Sequence, residues 1–286
     1  MPETATLPLP VARSVADLRR TVQAWRAAGL RIGFVPTMGA LHAGHLSLVE
    51  MAGARADRVV VSIFVNPTQF GPNEDFTKYP RQESSDAARL AAFGVDLLYA
   101  PQVEEMYPAG ASTVVSVGKV TDRLEGVYRP GHFDGVATVV AKLLNQVQPH
   151  VAVFGEKDYQ QLLVVRRLVA DLDIDTDIVP GPTVREADGL AMSSRNAYLS
   201  DDDRAVAASL PSVLNFVATQ LRTGAEAGPL LEAGRNRLLK AGFAEVQYLD
   251  LADATTLAPI EKADRPARLL VAARLGNTRL IDNVAV

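Results

Sequence analysis

Between residues 14 and 180 the chain alternates stretches of helical period with short runs that are apolar almost throughout. Ser14 to Ala28 reads as a helix, with Ser14 as its N-cap and Gly29 as its stop. Arg31 to Pro36 predicts a short buried strand, and a glycine-containing turn then opens a helix from about Gly44. The β-branched run Arg58 to Asn66 predicts the next strand. Glu83 to Phe93, closed by Gly94, predicts a helix, and Val95 to Ala100 another strand. From Asp134 to Val147 the apolar residues Val136, Val139, Val140, Leu143, Leu144 and Val147 recur at i, i+3, i+4, i+7, i+8 and i+11, one face of a helix. Pro149 stops it. His150 to Gly155 then reads as a strand, Tyr159 to Leu172 as a helix and Thr176 to Val179 as the last strand of the series. Strands that are apolar on both faces and separated by helices predict a parallel sheet covered on both sides, an α/β fold.

After Pro180-Gly181-Pro182 the texture changes. Two Ala/Leu-rich helical stretches, about Asp201 to Arg222 and Pro229 to Ala241, precede strand-like segments at Glu245 to Leu251, Arg268 to Arg274 and Thr278 to Val284. Gly276-Asn277 between the last two signals a hairpin. A domain boundary is therefore placed near 183, giving a parallel-sheet domain over 1–183 and a smaller α+β domain over 184–286.

Composition narrows the function. The 286 residues carry 29 basic and 33 acidic side chains, a net charge of −4, which argues against a protein that coats nucleic acid. There is no cysteine, so disulfides, thiolate nucleophiles and cysteine-based zinc sites are excluded. Apolar runs are strand-sized and far short of a membrane span, and Met1 to Pro10 has neither the basic start nor the apolar run of a secretory leader. A soluble, cytoplasmic protein is expected.

Three strings carry candidate chemistry. Pro36-Thr37-Met38-Gly39-Ala40-Leu41-His42-Ala43-Gly44-His45 follows a strand and opens a helix, and holds two of the four histidines. Gly44 lets a phosphate approach the backbone, the helix start offers free N–H groups, and two imidazoles can donate to an α-phosphate as charge builds on it. The bland alternative is a strand–turn–helix corner whose histidines cap backbone groups. Too few other ligands are present for a zinc site on the His-x-x-His spacing. Gly155-Glu156-Lys157-Asp158-Tyr159-Gln160-Gln161 lies at the end of a predicted parallel strand, where ligands of open α/β sheets bind. Lys157 can neutralise phosphate charge, Asp158 can accept from ribose hydroxyls, and Gln161 sits one helical turn on; a polar surface loop is the competing reading. Met192-Ser193-Ser194-Arg195-Asn196 offers two hydroxyls and a guanidinium, a compact triphosphate clamp, or an ordinary loop with serine caps. Gln69, in Asn66-Pro-Thr-Gln69-Phe-Gly71, can bond a carboxylate or hydroxyl substrate or simply supply turn polarity, and His132, in Arg129-Pro-Gly-His132, reads as a helix-entry cap at least as readily as a substrate contact. Asp201-Asp202-Asp203 is the acidic first turn of a helix.

Taken together and in order, these strings resemble the pantoate–β-alanine ligase family, within the nucleotidyltransferase superfamily that carries a His-x-Gly-His element, and the resemblance runs from residue 14 to 284. It implies a Rossmann-like N-terminal domain that binds nucleotide and pantoate, a smaller C-terminal lid domain, and a two-step reaction. Pantoate's carboxylate attacks the α-phosphate of ATP, giving pantoyl adenylate and pyrophosphate, and β-alanine then displaces AMP to form pantothenate. Carried over by position, Met38, Gly39, Ala40, Leu41, His42, Ala43, Gly44 and His45 would line the ATP site, with His45 as proton donor and His42 its companion. Gly155, Glu156, Lys157, Asp158, Met192, Ser193, Ser194 and Arg195 would hold the nucleotide, with Val184 against adenine; the catalytic set is His45, His42, Lys157 and Arg195. Gln69 and Gln161 would bind pantoate, Gln69 also lying near β-alanine. Mg²⁺ is implied on the triphosphate. Relatives often carry consecutive acids over the region Glu83 to Asp86, and here Ser84 and Ser85 precede Asp86, so the metal's protein ligands stay unassigned. A homodimer is implied by the family alone. A nucleotidyltransferase that stops after transfer, and a nucleotide-sensing protein without turnover, are the competing classes. The presence of both histidines, Lys157 and Arg195 weighs against the second.

Overall fold

The computed structural model describes residues 7–72 and 74–286, so the reading of Met1 to Pro10 lies in large part outside the described residues. The described residues form two compact units, one from those within 7–118, 129–156 and 164–181, the other from 119–128, 157–163 and 182–286.

The first unit is a six-stranded sheet, all of its pairs parallel. Its strands are β1 (Val11–Ala12), β2 (Ile32–Thr37), β3 (Arg58–Ile63), β4 (Leu97–Tyr99), β5 (Val151–Gly155) and β6 (Asp177–Gly181), in the order β1-β4-β3-β2-β5-β6. The strand order reverses between β2 and β5, and the crevice beyond the carboxyl ends of such strands is where α/β sheets bind ligands. The helices are α1 (Val15–Ala27), α2 (Ala43–Gly53), α3 (Glu83–Ala92), the short α4 (Val103–Met106), α6 (His132–Val147) and α7 (Tyr159–Asp171), whose first turn counts with the second unit. Ser14 caps α1 as expected, its Oγ accepting from Asp17 N at 3.1 Å. The apolar face read along α6 is buried, from Val136 to Val147.

Strand β1 has no counterpart among the sequence expectations. Two residues show no period, and its pairing is fixed by distant backbone, Leu98 N donating to Pro10 O and Ala100 N to Ala12 O, both at 3.0 Å.

The second unit packs α8 (Asp201–Ala207), α9 (Ser209–Arg222) and α10 (Ala227–Ala241) with an antiparallel sheet of β7 (Glu245–Asp253), β8 (Ala267–Leu275) and β9 (Thr278–Ala285). Leu210, Leu214, Val217, Leu221 and Leu238 meet Leu249, Leu269, Val271 and Ala273 in its core. The hairpin at Gly276-Asn277 forms, with Leu275 opposite Thr278. The single helix expected over Asp201 to Arg222 is instead two, divided at Ala208. Pro211 supplies the reason: it has no N–H to give to Ala207 and its ring crowds the preceding turn, so the helix restarts with the proline in its first turn. The acidic triplet is the first turn of α8, where Ser200 Oγ accepts from Asp203 N at 3.1 Å. The short helix α5 (Glu125–Tyr128) enters this unit through Glu125, which is buried, takes two Arg279 bonds at 2.8 and 2.6 Å, and accepts from Tyr248 Oη at 2.5 Å.

Candidate active site

The first candidate turn begins where β2 ends. Thr37 Oγ1 donates to Ser62 O at 2.7 Å and accepts from Gly39 N at 3.1 Å, tying the chain to β3. The backbone then enters the left-handed region at Gly39 (φ 81°) and Ala40 (φ 52°). Glycine is needed at 39, since a Cβ there would lie 3.1 Å from both Asp86 Oδ2 and Ile63 Cγ2. Asp86, in the first turn of α3 and fully buried, accepts from Ala40 N at 2.8 Å and Leu41 N at 2.9 Å. Arg89, one turn on, donates to Leu41 O. Burial pushes the Asp86 carboxyl above its usual range, against the downward pull of the Leu41 and Ala40 N–H groups and Arg89. Both Asp86 oxygens therefore hold backbone, and the N–H groups of Ala40 and Leu41 are engaged by protein. The turn is held in place by protein groups of α3.

His42 is the N-cap of α2. Its Nδ1 accepts from Gly44 N at 3.1 Å, and His45 Nδ1 accepts from His42 N at 3.4 Å. A backbone N–H can only donate, so both Nδ1 atoms present lone pairs and each neutral ring carries its proton on Nε2. The ring centroids are 4.1 Å apart. Capping, the bland reading of these histidines, is thus real, and it orients them: each ring has its Nδ1 anchored to the backbone and an Nε2–H as donor. Met38, Ala40 and Leu41 complete the turn, with Ala40 and Leu41 buried, and Ala43 and Gly44 open α2.

The second turn follows β3. Residues Pro67–Gln69 form a 3-10 helix capped by Asn66, whose Nδ2 donates to Gln69 Oε1 at 3.0 Å and to Gly135 O at 3.1 Å. Tyr107 Oη donates to Asn66 Oδ1 at 2.9 Å. With its oxygen so engaged, Gln69 aims Nε2 at Met38 Sδ, 3.2 Å away, linking this turn to the first. His132 Nδ1 lies 2.9 Å from Gln69 O. Asn66 and Tyr107 are thus part of the site's construction. Asn66-Pro67 is visible in the sequence as a turn signal, whereas nothing local marks Tyr107.

Gly155 ends β5 and Glu156 follows it, in the same unit as these turns. In the second unit, Lys157 and Asp158 lie in the 3-10 helix Glu156–Asp158, with Lys157 Nζ 3.8 Å from Asp158 Oδ2 and Lys157 O accepting from Asn283 Nδ2 at 2.9 Å. Gln160 is buried and structural, donating to Val120 O at 2.7 Å and Arg123 O at 2.9 Å, while its neighbour Gln161 is only partly buried. Val184 O accepts from Met192 N at 3.0 Å across a small loop whose Arg185 grips buried Asp282 at 2.7 and 2.9 Å. Ser193 caps the 3-10 helix Ser194–Tyr198, accepting from Arg195 N at 3.3 Å. Asn196 Nδ2 holds the loop to Glu186 Oε1 at 2.7 Å and to Ala191 O at 3.1 Å.

Two strand-end turns bearing imidazole and amide groups thus stand at the carboxyl ends of neighbouring parallel strands, where α/β sheets bind their ligands. The comparisons give the particular family. The pantoate-β-alanine ligase family profile matches residues 10–285. A pantothenate synthetase of Paramagnetospirillum magneticum is 60% identical over 276 residues, 96% of this chain and 97% of that one. One of Rhodospirillum rubrum is 58% identical over 279 residues, 97% and 99% of the two chains. The crystal structure of pantothenate synthetase from Thermus thermophilus superposes with a TM-score of 0.90 at 49% identity, covering 96% of this chain and 99% of that one. That of a Francisella tularensis pantoate-β-alanine ligase, complexed with β,γ-ATP and β-alanine, gives 0.83 at 37% identity, covering 96% and 97%. The chain belongs to the pantoate–β-alanine ligase family.

Proposed function

We propose that the chain activates pantoate as an acyl adenylate and passes the pantoyl group to β-alanine, and the paired Nε2–H donors of His42 and His45 are the observation that carries this reading. Pantothenate synthesis itself follows from family membership: the chain is a pantoate–β-alanine ligase using ATP as substrate. In the first step a pantoate carboxylate oxygen bonds to the α-phosphorus as the bond to the β-phosphate oxygen breaks, and pyrophosphate leaves. In the second, the β-alanine amine attacks the acyl carbon, the carbon–oxygen bond to AMP breaks, and the amine gives up a proton. A free carboxylate resists amine attack; acylation of phosphate makes its oxygen a leaving group. Oriented donors stabilise charge that grows on the α-phosphate in both directions of approach.

By this reading Met38 to His45, Gly155 and Glu156 of the first unit are assigned to ATP, as are Lys157, Asp158, Val184 and Met192 to Arg195 of the second. Lys157 and Arg195 supply positive charge, and Gln69 and Gln161 bind pantoate, Gln69 also bordering the β-alanine position. Residues 1–183 would form the nucleotide and pantoate domain, and 184–286 the smaller domain. Mg²⁺ enters as the partner of ATP and so as part of the substrate. Asp86 does not fit a ligand's part, because it is fully buried on the Ala40 and Leu41 N–H groups and burial favours its neutral form, and among the described residues no three His, Asp or Glu side chains are grouped so as to hold a metal. No step is routed through the metal. No helix among the described residues is long and apolar enough to cross a membrane, and a cytoplasmic homodimer fits the family.

The test is an assay with ATP, pantoate and β-alanine, each omitted in turn. Turnover should need all three and release AMP. Release of ADP would replace the adenylate with an acyl phosphate, and pyrophosphate without amide would leave only a nucleotidyltransferase.

A further inference from the structure

We infer that His132 is a positioning residue for pantoate: it fixes the Gln69 turn through the Gln69 backbone carbonyl, and Arg129 and Glu74 set its tautomer. The inference rests on the assignment of Gln69 to pantoate given above. His132 is the first residue of α6 and is buried, with Nδ1 2.9 Å from Gln69 O and Nε2 3.0 Å from Arg129 Nη1. A carbonyl oxygen only accepts and a guanidinium only donates. The ring is therefore neutral, with its proton on Nδ1 and directed at Gln69. This tautomer is the opposite of the one the backbone imposes on His42 and His45.

Arg129 is held in turn by Glu74, to which Nε and Nη2 each donate at 2.7 Å, and Nη2 also reaches Gln69 O at 3.4 Å. Gly135, one turn along α6, seats the helix directly on the turn, since a Cβ there would lie 2.4 Å from Thr68 O and 2.7 Å from Gln69 N. Asn66 bonds Gly135 O from the same side. Residues 66–69 are thus clamped against the start of α6. Of these contacts, the His132 and Arg129 bonds act on Gln69's own carbonyl, the atom group that sets where its side-chain amide begins.

Steady-state kinetics with pantoate and ATP varied separately decide the matter, on Gln69→Ala, His132→Ala, His132→Asn, His132→Gln and the double variant Gln69→Ala/His132→Ala. His132→Ala should raise the KM for pantoate about tenfold, the scale of one lost hydrogen bond, with kcat and the KM for ATP changed little. His132→Asn should recover most of that loss, because its Nδ2–H stands where Nδ1–H stood. His132→Gln, whose amide reaches the Nε2 position instead, should not. The double variant should be no worse for pantoate than Gln69→Ala alone, since both changes remove one interaction. Equal losses for ATP and pantoate, Asn and Gln performing alike, or additive losses in the double variant would overturn the relay. If His132→Ala fails to fold, the Asn–Gln contrast still decides. Gln69→Ala with an unchanged pantoate KM would sink the pantoate assignment itself. A raised KM there, with His132→Ala unaffected, would sink only the relay.

Discussion

The turns after β2 and β3 leave neighbouring parallel strands, yet they are built in opposite ways. The first is bent and capped by its own residues, His42 and His45 capping the helix they open and Gly39 and Ala40 supplying the left-handed bend, and distant chain reaches it only at the Ala40 and Leu41 backbone, through Asp86 and Arg89 of one helix. The second depends on distant chain, with Gln69 bonded by Asn66 beside it but fixed by Arg129 and His132, which lie 60 and 63 residues further on. A site that carries its own scaffold can be read from a short string. One whose scaffold comes from elsewhere shows only the residue proposed to meet substrate.

The sharpest way to break this comparison is to remove an imidazole. His45→Ala should slow single-turnover adenylate formation by on the order of 10²–10³, the scale of about 2–4 kcal/mol for one oriented donor, without unfolding the protein. His42→Ala should slow the same step and also lose about 1 kcal/mol of stability, because it deletes the N-cap acceptor of α2. If either variant formed adenylate at the wild-type rate, its imidazole would be only a cap.

Lys157→Ala comes next. A compact ammonium offsets charge on the α-phosphate, so adenylate formation should suffer most. Pre-formed pantoyl adenylate should still react with β-alanine at a smaller penalty. Equal losses in both half-reactions would move Lys157 from the nucleotide to a general structural part. Gln69→Ala should cost about 1–3 kcal/mol in pantoate binding, the range for leaving polar groups unpaired in a closed site. Calorimetry should show ATP affinity unchanged; lost ATP affinity with intact pantoate binding would reassign the loop.

The same contrast marks how far the sequence carries. The alternation of strands and helices, the buried face of α6 and the hairpin at Gly276-Asn277 are all periodic or local signals, and they are legible. Strand β1 is not, because two residues carry no period. The membership of Glu125 in the second unit is hidden too, since only its pairing with Tyr248 and Arg279, more than 120 residues away, reveals it. Asp86 is visible in the sequence only as an acid early in a helix; its work on the Ala40 and Leu41 N–H groups depends on a fold-level approach of α3 to the turn. His132 can be read as cap or contact. The structure gives a third part, a donor to the backbone of the neighbouring turn, which no local pattern encodes. Glu74 has no signal at all.

The smallest effect separates the two turns by pH. Each has one buried or half-buried carboxylate, and their shifts run in opposite directions. Asp86 lies above its ordinary 3.8, because burial outweighs the N–H bonds and Arg89. Burial also raises Glu74, but the hydrogen bonds and charge of Arg129 overcome it, and Glu74 lies below its ordinary 4.5. For Glu74, whose folded value is depressed, the stabilising contribution is present above 4.5 and is lost as pH falls through the folded value. For Asp86, whose folded value is raised, the contribution is full below 3.8 and is lost as pH rises through the folded value. Urea unfolding of the wild type, Glu74→Gln and Asp86→Asn across the acid range should therefore give two gaps of opposite slope. The gap between wild type and Glu74→Gln should be widest near neutrality and close on acidification. The gap between wild type and Asp86→Asn should be widest in acid and narrow toward neutrality, where the buried carboxylate must be ionised. Parallel slopes would mean that Asp86 is held as firmly in its charged form as Glu74. The clasp on the first turn would then be an ion-like contact of the same kind as the second, and the contrast between the two turns would rest on their connectivity alone.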